Sequence, residues 1–436
     1  MSLEGGPALD TAVTAGNWQD PPYNRWAYWH VSEILPTYRI SRGTGAVRNI
    51  GQAAGPGATN LLGIGLTRTD GSPGTVEDVF ADTFTDAYVV LHDGEIAAEW
   101  YGPQGAQRLP HALMSVSKSV VSCVAAVLID RGQLGTDRLI THYVPELAAS
   151  GYAGALVRHV LDMRSGVRFV EEYANPHSDV RVLDEWLGWL PEGGGESRGL
   201  YQYLTTLQAE ARHGSRFLYR SAESDVLGWV CERAAGVPMA ELISALVWAP
   251  MGAECDADLL HDGVGTAVHD GGLCATARDV ARFGQMLLDG GTTPDPVTGT
   301  RRVIPARWLR DAWAVDAEAR TTFAASPAEP VFPGGWYRNQ FWFVPGGYGD
   351  VLLCLGIHGQ MVHVSRRTRT VCVKFSSWPV AQNPAYLLDT IRAFDAIGGA
   401  LAGMPPGGRP RLAGVVSGLR RSGDSVPRRR PVGGLA

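Results

Sequence analysis

The sequence has almost no lysine. Of its 38 basic side chains only Lys118 and Lys374 are lysine, and the rest are arginine. Arginine stays protonated in proteins, whereas a buried lysine can shed its proton and act as a base. Lysines that survive such a drift are candidates for positions where arginine's permanent charge does not serve. Cysteine is sparse and unpatterned. Cys123, Cys231, Cys255, Cys274, Cys354 and Cys372 contain no C-x-x-C pair, which argues against zinc-ribbon and thioredoxin-type chemistry. Most lie in apolar surroundings such as SCVAAV and LLCLGI and read as small buried hydrophobes. The longest strongly apolar stretch, Val120–Ile129, is far short of the roughly 20 residues a membrane helix needs. The first residues, MSLEGGPALD, show neither the basic nor the apolar region of a secretory signal, so the expected location is the cytoplasm. Charge is also low. Charged residues are 19% and the net charge is −6, without sign asymmetry in the body of the chain, which speaks against nucleic-acid and membrane-surface partners. There is no GxSxG, HExxH, Walker A or GxGxxG, and no metal or organic cofactor is expected.

The patterning that is present divides the chain. Residues 1–80 are rich in Gly, Pro, Thr and Asn and read as an irregular lead-in, with a Trp/Tyr cluster at Trp26–Trp29 expected to pack on the body. Asp86 to Gly102 reads as a hairpin turning at Asp93-Gly94. Ser115 to about Arg131 reads as a helix ended by Gly132, apolar nearly all round and so buried. Helical spacing recurs in ELAASGYAGALVRHVLDMRSG, SAESDVLGWVCERAAG and ARDVARFGQMLLDGG. From Gln340 the period changes to strands, QFWFVP, DVLLCLGIHG, MVHVSRR and TVCVKFSS, before a last helix from about Asn383 to Leu401. The order implies an α/β (α+β) domain over 81–400. One antiparallel sheet is contributed by 81–135 and 310–400, flanked by helices, with a mainly helical lobe inserted at 136–309. Residues 404–436, with Arg428–Arg430, read as a disordered basic tail.

Three boxes carry chemistry. Ser115-Val116-Ser117-Lys118 is an S-x-x-K at a helix start. Positions i and i+3 share a face, so hydroxyl and amine become neighbours, and the helix N-terminus favours a developing alkoxide. A serine hydroxyl attacks well only when a base takes its proton, and a dehydrated lysine is one such base. With two lysines in the chain, chance supplies this pattern about 0.1 times. The plainer alternative, Ser115 as a cap with Lys118 solvated, sets a cation against the helix dipole. Tyr219-Arg220-Ser221 precedes a helix, and a tyrosine beside a lysine can relay a proton to a leaving group. Gly356-Ile357-His358-Gly359-Gln360 lies between two strands, where glycine lets an amide approach a reacting oxygen.

In this order and spacing the boxes resemble the S-x-x-K, Y-x-N/S and K/H-T/S-G triad of penicillin-recognising, β-lactamase-like serine hydrolases. Tyr219-Arg220-Ser221 in place of S-D-N points to the class C, carboxypeptidase and esterase branch. His358-Gly359-Gln360 stands in place of K-T-G, with Ile357-His358-Gly359 fitting as well, and loss of the box lysine puts β-lactamase activity in doubt. Over about residues 80–400 the text HALMSVSKSVV, HYVPELAASG, VRHVLDMRSGV, EEYANP, YRSAESDVLGWV, DGGLCATARDVARFG, WYRNQFW and GIHGQ is similar to the 6-aminohexanoate-dimer hydrolases, nylon-oligomer amidases of that branch. The resemblance implies a β-lactamase/D,D-peptidase-like fold and an acyl-enzyme on Ser115, with a neutral Lys118 as base and Tyr219 as proton shuttle. It implies an oxyanion hole from the amides of Ser115 and Gln360. It also implies a substrate side of Tyr173, His358, Gly359 and Ser221, with Asp184, Trp189 and Asp270 nearby. The expected substrate is a small amide or ester, with a homodimer left open. A carboxylesterase on short acyl chains shares every residue named. A non-catalytic ligand sensor of the same fold stands as the reading from another class.

Overall fold

The computed structural model describes residues 12–52, 61–189 and 198–405. The expected basic tail therefore lies almost wholly outside the described residues.

A seven-stranded antiparallel sheet is built from two distant parts of the chain. Strands β1 (Thr85–His92) and β2 (Glu95–Tyr101) form the early hairpin. Strands β3 (Trp336–Arg338), β4 (Phe341–Gly346), β5 (Gly349–Gly356), β6 (Gln360–Ser365) and β7 (Thr370–Ser376) follow much later. The spatial order is β3-β4-β5-β6-β7-β1-β2, and β7 joins β1 with Val373 opposite Val89. The β1–β2 turn needs two positive φ angles to match strand twist, and Asp93 (51°) and Gly94 (86°) supply them.

Side chains alternate across a strand, so each strand feeds two cores. Val89, Leu91, Val371 and Val373 join the core that holds helices α1 (Val116–Asp130), α2 (Ser221–Ala235) and α3 (Ala277–Leu288). Tyr88, Val90 and Cys372 face the opposite core under α4 (Pro384–Leu401). Every residue of α1 from Val116 to Leu128 is buried. Ser119 and Ser122 on this helix donate to the carbonyls of Gln340 (2.9 Å) and Asn339 (2.6 Å), which fixes α1 against the β3–β4 turn. Helix α4 begins as its sequence asks, with Pro384 in the first turn and the Asn383 carboxamide oxygen accepting from the amides of Ala385 and Tyr386.

A second sheet was not anticipated. Its four short strands are Thr37–Ile40, Ala257–Leu260, Leu273–Ala275 and His111–Ala112, in that spatial order. Strands of two to four residues are too short to show a period of two. This sheet nevertheless sets the site, because one strand runs into Ser115 and another follows Asp270. The helix expected in ELAASGYAGALVRHVLDMRSG also breaks up, into a 3-10 turn at Pro145–Ala149 and a short helix at Val157–Leu161. Gly151 presses on the backbone of Gln208, where a Cβ would come within 2.4 Å, and Gly154 takes φ +83°.

Within residues 12–52 and 61–82 the chain is more ordered than its composition suggests. It holds helical turns at Asn24–Ala27 and Val31–Ile34, a hairpin of Gly65–Thr67 with Pro73–Thr75, and a helix at Val76–Asp82. Tyr28 and Trp29 are buried in the main core. All six cysteines are free, five of them buried. Among the described residues no helix is long and apolar enough to cross a membrane.

Candidate active site

Ser115 stands at the N-terminal end of α1, and the chain enters it through Met114, which holds the left-handed φ of 48°. A non-glycine residue in that region stores strain, which recurs beside reactive groups. One turn on, Lys118 is 1% exposed and donates to Ser115 Oγ at 2.8 Å, Ser221 Oγ at 3.1 Å and the Asp270 carbonyl at 2.8 Å. An Asp270 carboxylate oxygen lies 3.4 Å from the same nitrogen. Tyr219 is half-buried with its ring 5.4 Å from the amine, and its hydroxyl shares a hydrogen bond with Ser115. Two of the three boxes therefore meet at one nitrogen.

Arg220, between Tyr219 and Ser221, turns the other way. Its guanidinium is fully buried, pairs with Glu223 at 2.7 Å and donates to the Val167 carbonyl at 2.7 Å. That pair fixes the loop that presents Tyr219. Ser221 opens α2, and both its amide (2.7 Å) and its hydroxyl (3.1 Å) donate to the Glu171 carboxylate. The Tyr173 hydroxyl donates to Glu171 at 2.7 Å. Asp225, one turn along α2 from Ser221, accepts from the amides of His269 and Asp270, both at 3.1 Å.

Opposing influences act on the Lys118 amine. Burial pulls its pKa down, while Tyr219, Asp270, Glu171 and Asp225 raise it, and the balance lies above its ordinary value. Burial pushes Tyr219 up to about 12, against the pull of Lys118. Burial likewise raises Glu171, partly offset by Lys118 and by the hydrogen bonds from Tyr173 and Ser221. Asp225 is held well above the carboxylate range by burial and by Asp270 beside it.

A cavity opens in front of Ser115, lined among others by Met114, Tyr173, Asp184, Trp189, Asp270 and Ile357. Asp184 pairs with Arg181 at 2.9 Å, and burial lifts its carboxyl to about 7. Of the sequence-derived candidates, the structure thus brings Ser115, Lys118, Tyr219, Ser221, Tyr173, Asp184, Trp189 and Asp270 together. Of the third box, it is Ile357 that lines the cavity. Gly356 packs so closely that a Cβ would lie 2.5 Å from the Leu113 carbonyl, and this sets Ile357 beside Ser115. Gln360 does not line the cavity; its carboxamide bonds to the backbone of Ser376 at 2.7 and 3.1 Å behind the turn. His358 is 5% exposed, donates from Nδ1 to the Trp378 carbonyl at 2.8 Å and is pulled down to about 4 by burial. Gly359 is pressed against Trp378. These three shape the turn rather than face the cavity. The second lysine, Lys374 on β7, lies elsewhere, donating to the Thr83 carbonyl at 3.1 Å and to the Ser376 hydroxyl.

Sequence reasoning missed Glu171 and Asp225, and named Ile357 within the third box without assigning it a role. Asp225 had a readable signal, an acid inside an all-round buried helix at i+4 from Ser221. Glu171 had none beyond its place next to Tyr173.

Residues 76–394 match the Beta-lactamase family. The chain belongs to that family. It is 37% identical over 400 residues to the 6-aminohexanoate-dimer hydrolase of Paenarthrobacter ureafaciens, covering 90% of this chain and 95% of that protein. Its structure is similar to one described provisionally as a 6-aminohexanoate-dimer hydrolase from Bacillus anthracis, with TM-score 0.79, 25% identity, and coverage of 90% of this chain and 98% of that one. A shorter similarity, 29% over 161 residues, links it to the esterase EstB of Burkholderia gladioli, covering 32% of this chain and 36% of that protein. This Beta-lactamase-family protein is a serine hydrolase acting on amide or ester bonds.

Proposed function

We propose that the protein cleaves small linear amides through an acyl-enzyme on Ser115, with 6-aminohexanoate-type oligomers as the substrate class. The observation that carries this is the 2.8 Å contact between the buried Lys118 nitrogen and Ser115 Oγ at the start of α1. An ammonium there lowers the cost of the serine alkoxide without itself taking the proton. The proton of Ser115 passes to the Tyr219 oxygen as the phenolic proton leaves for the departing nitrogen. The serine oxygen bonds to the carbonyl carbon and the C–N bond breaks. The amides of Ser115 and Ile357 are the proposed donors to the oxyanion. In the second half a water attacks the ester, gives its proton to Tyr219, and Ser115 recovers the proton that Tyr219 releases. Lys118 serves in both halves as the fixed positive charge, and becomes the base only if Asp270 or Glu171 first accepts its proton.

An esterase is the second reading, favoured by the stretch similar to EstB. Alkoxides leave without much proton assistance, so the two readings separate by how strongly each activity depends on Tyr219. The test is a paired assay of wild type and Ser115→Ala on p-nitrophenyl butyrate and the linear 6-aminohexanoate dimer. Cleavage of both by wild type and neither by the variant supports the amidase. Cleavage of the ester alone moves the assignment to esterase. A variant as active as wild type overturns the nucleophile. A cytoplasmic setting is part of the same proposal.

A further inference from the structure

The outer wall of the cavity comes from outside the family domain. Trp18 and Gln19 line it together with Ser115, yet the residues matched to the Beta-lactamase family begin only at 76. As it stands the cavity has a volume of about 50 Å³. A water occupies about 30 Å³ of liquid, and ligand pockets run to roughly 300–1,000 Å³. The space at Ser115 is narrow on that scale, so the side chains that line it bear on what fits.

Two walls face each other across the slot. The helix Asp179–Leu187 is rooted in the main core through Val180, Leu183 and Leu187. Trp18 is buried in the same core, with Gln19 beside it in the chain. Among the described residues, the backbone hydrogen bonds of residues 14–20 run locally, from the amides of Asn17 and Trp18 to Thr14 and from Asp20 to Asn17. The Trp18 indole is 2% exposed and set edge-on to Tyr28 (5.8 Å) and Trp189 (5.7 Å). Beyond it the chain is stitched down firmly. Asn24 donates to the Trp378 carbonyl at 3.1 Å, and the Tyr28 carbonyl accepts from Ala112 at 2.8 Å, three residues before Ser115. The segment is thus packed on the core through Val13, Ala15 and the Trp18 ring and anchored at its far end. Gln19 puts an uncharged carboxamide, with no protein partner among the described residues, on the same wall.

We propose that Trp18 and Gln19 are specificity-determining residues, Trp18 limiting the breadth of the acyl chain that reaches Ser115 and Gln19 hydrogen-bonding a polar end of the substrate. This rests on the reading of Ser115 as nucleophile. A bulky indole across the slot admits an unbranched methylene chain and excludes one branched next to the carbonyl. Steric differences of this kind are worth roughly 10–200-fold in kcat/KM.

The experiment compares kcat/KM for p-nitrophenyl pivalate and p-nitrophenyl butyrate in wild type, Trp18→Ala and Trp18→Leu, the last keeping apolar volume if the alanine variant does not fold. Reading a ratio cancels any general loss of activity. The proposal expects the pivalate-to-butyrate ratio to rise by about 10-fold or more in the folded variants. In parallel, Gln19→Leu should raise KM for the linear 6-aminohexanoate dimer several-fold more than KM for the butyrate ester. An unchanged ratio in both Trp18 variants overturns the breadth filter, and equal KM changes overturn the Gln19 contact. Ester cleavage by wild type that survives Ser115→Ala overturns instead the functional reading, and the proposal with it.

Discussion

Ser221 and Glu171 are joined twice, the serine amide and hydroxyl both reaching the same carboxylate at 2.7 and 3.1 Å. The carboxylate also holds Tyr173, and the serine oxygen accepts from Lys118. Glu171 therefore ties the substrate side to the lysine and adds negative potential that keeps Lys118 charged. Glu171→Gln keeps the shape and removes the charge. With less negative charge nearby the Lys118 pKa falls, so an alkaline loss of kcat/KM should set in at lower pH in the variant than in wild type, whose amine titrates above its ordinary value. Comparing kcat/KM in both proteins up to the highest pH at which each stays folded tests this. A loss that sets in at the same pH in both contradicts a role for Glu171 in holding the Lys118 charge.

Tyr219→Phe removes the proton relay and leaves the ring packed on Trp342, 5.2 Å away. General acid–base groups contribute about 10²–10⁴-fold, so amide hydrolysis should fall by that order. In kcat/KM, which reports acylation, ester cleavage should fall much less, because an aryl oxide leaves unaided, while kcat should fall for both because deacylation uses the same relay. Parallel losses of kcat/KM on both substrates would place Tyr219 in binding rather than proton transfer.

Asp184, raised to about 7 by burial, changes charge within the working pH range at the cavity wall. An ionisation near pH 7 should appear in KM for the linear 6-aminohexanoate dimer and vanish in Asp184→Asn. An inflection that persists in the variant assigns it to another group.

Lys374 tests burial energetics away from the site. Burial pulls its pKa from 10.5 to about 7, with Asp86 opposing. The unfolded chain then binds more protons than the folded one between about pH 7 and 10.5, so this group adds stability as pH rises through that window and none below it. The melting temperature should climb from pH 7 to 9, and Lys374→Met should flatten that slope while raising the pH 7 value. A slope unchanged by the substitution would show that the amine is charged in the fold.

Much of this was legible in the sequence because the large elements are long and periodic. The β1–β2 hairpin, the buried helix α1, α2, α3 and the four long strands from Phe341 to Ser376 appear where the pattern puts them. The S-x-x-K spacing brought Ser115 and Lys118 together for a purely local reason, their shared helical face. What could not be read depends on contacts between distant segments. The four-stranded sheet pairs two- to four-residue pieces drawn from residues 37 to 275. The register of Ile357 is set by Gly356 against Leu113. The upward pull on the Lys118 pKa comes from Tyr219, Asp270, Glu171 and Asp225, which are far apart in the chain. A lysine's burial can be guessed from its sequence surroundings, but the company it keeps there cannot.

The most direct test of the account is to trap the intermediate. Wild type is quenched in acid during steady-state turnover of p-nitrophenyl butyrate, and the intact protein and its peptides are weighed. The account predicts a butyryl adduct on the peptide carrying Ser115, absent from Ser115→Ala and accumulating further in Tyr219→Phe, where water attack lacks its relay. An adduct on another residue, or turnover in Ser115→Ala at the wild-type rate, would contradict it.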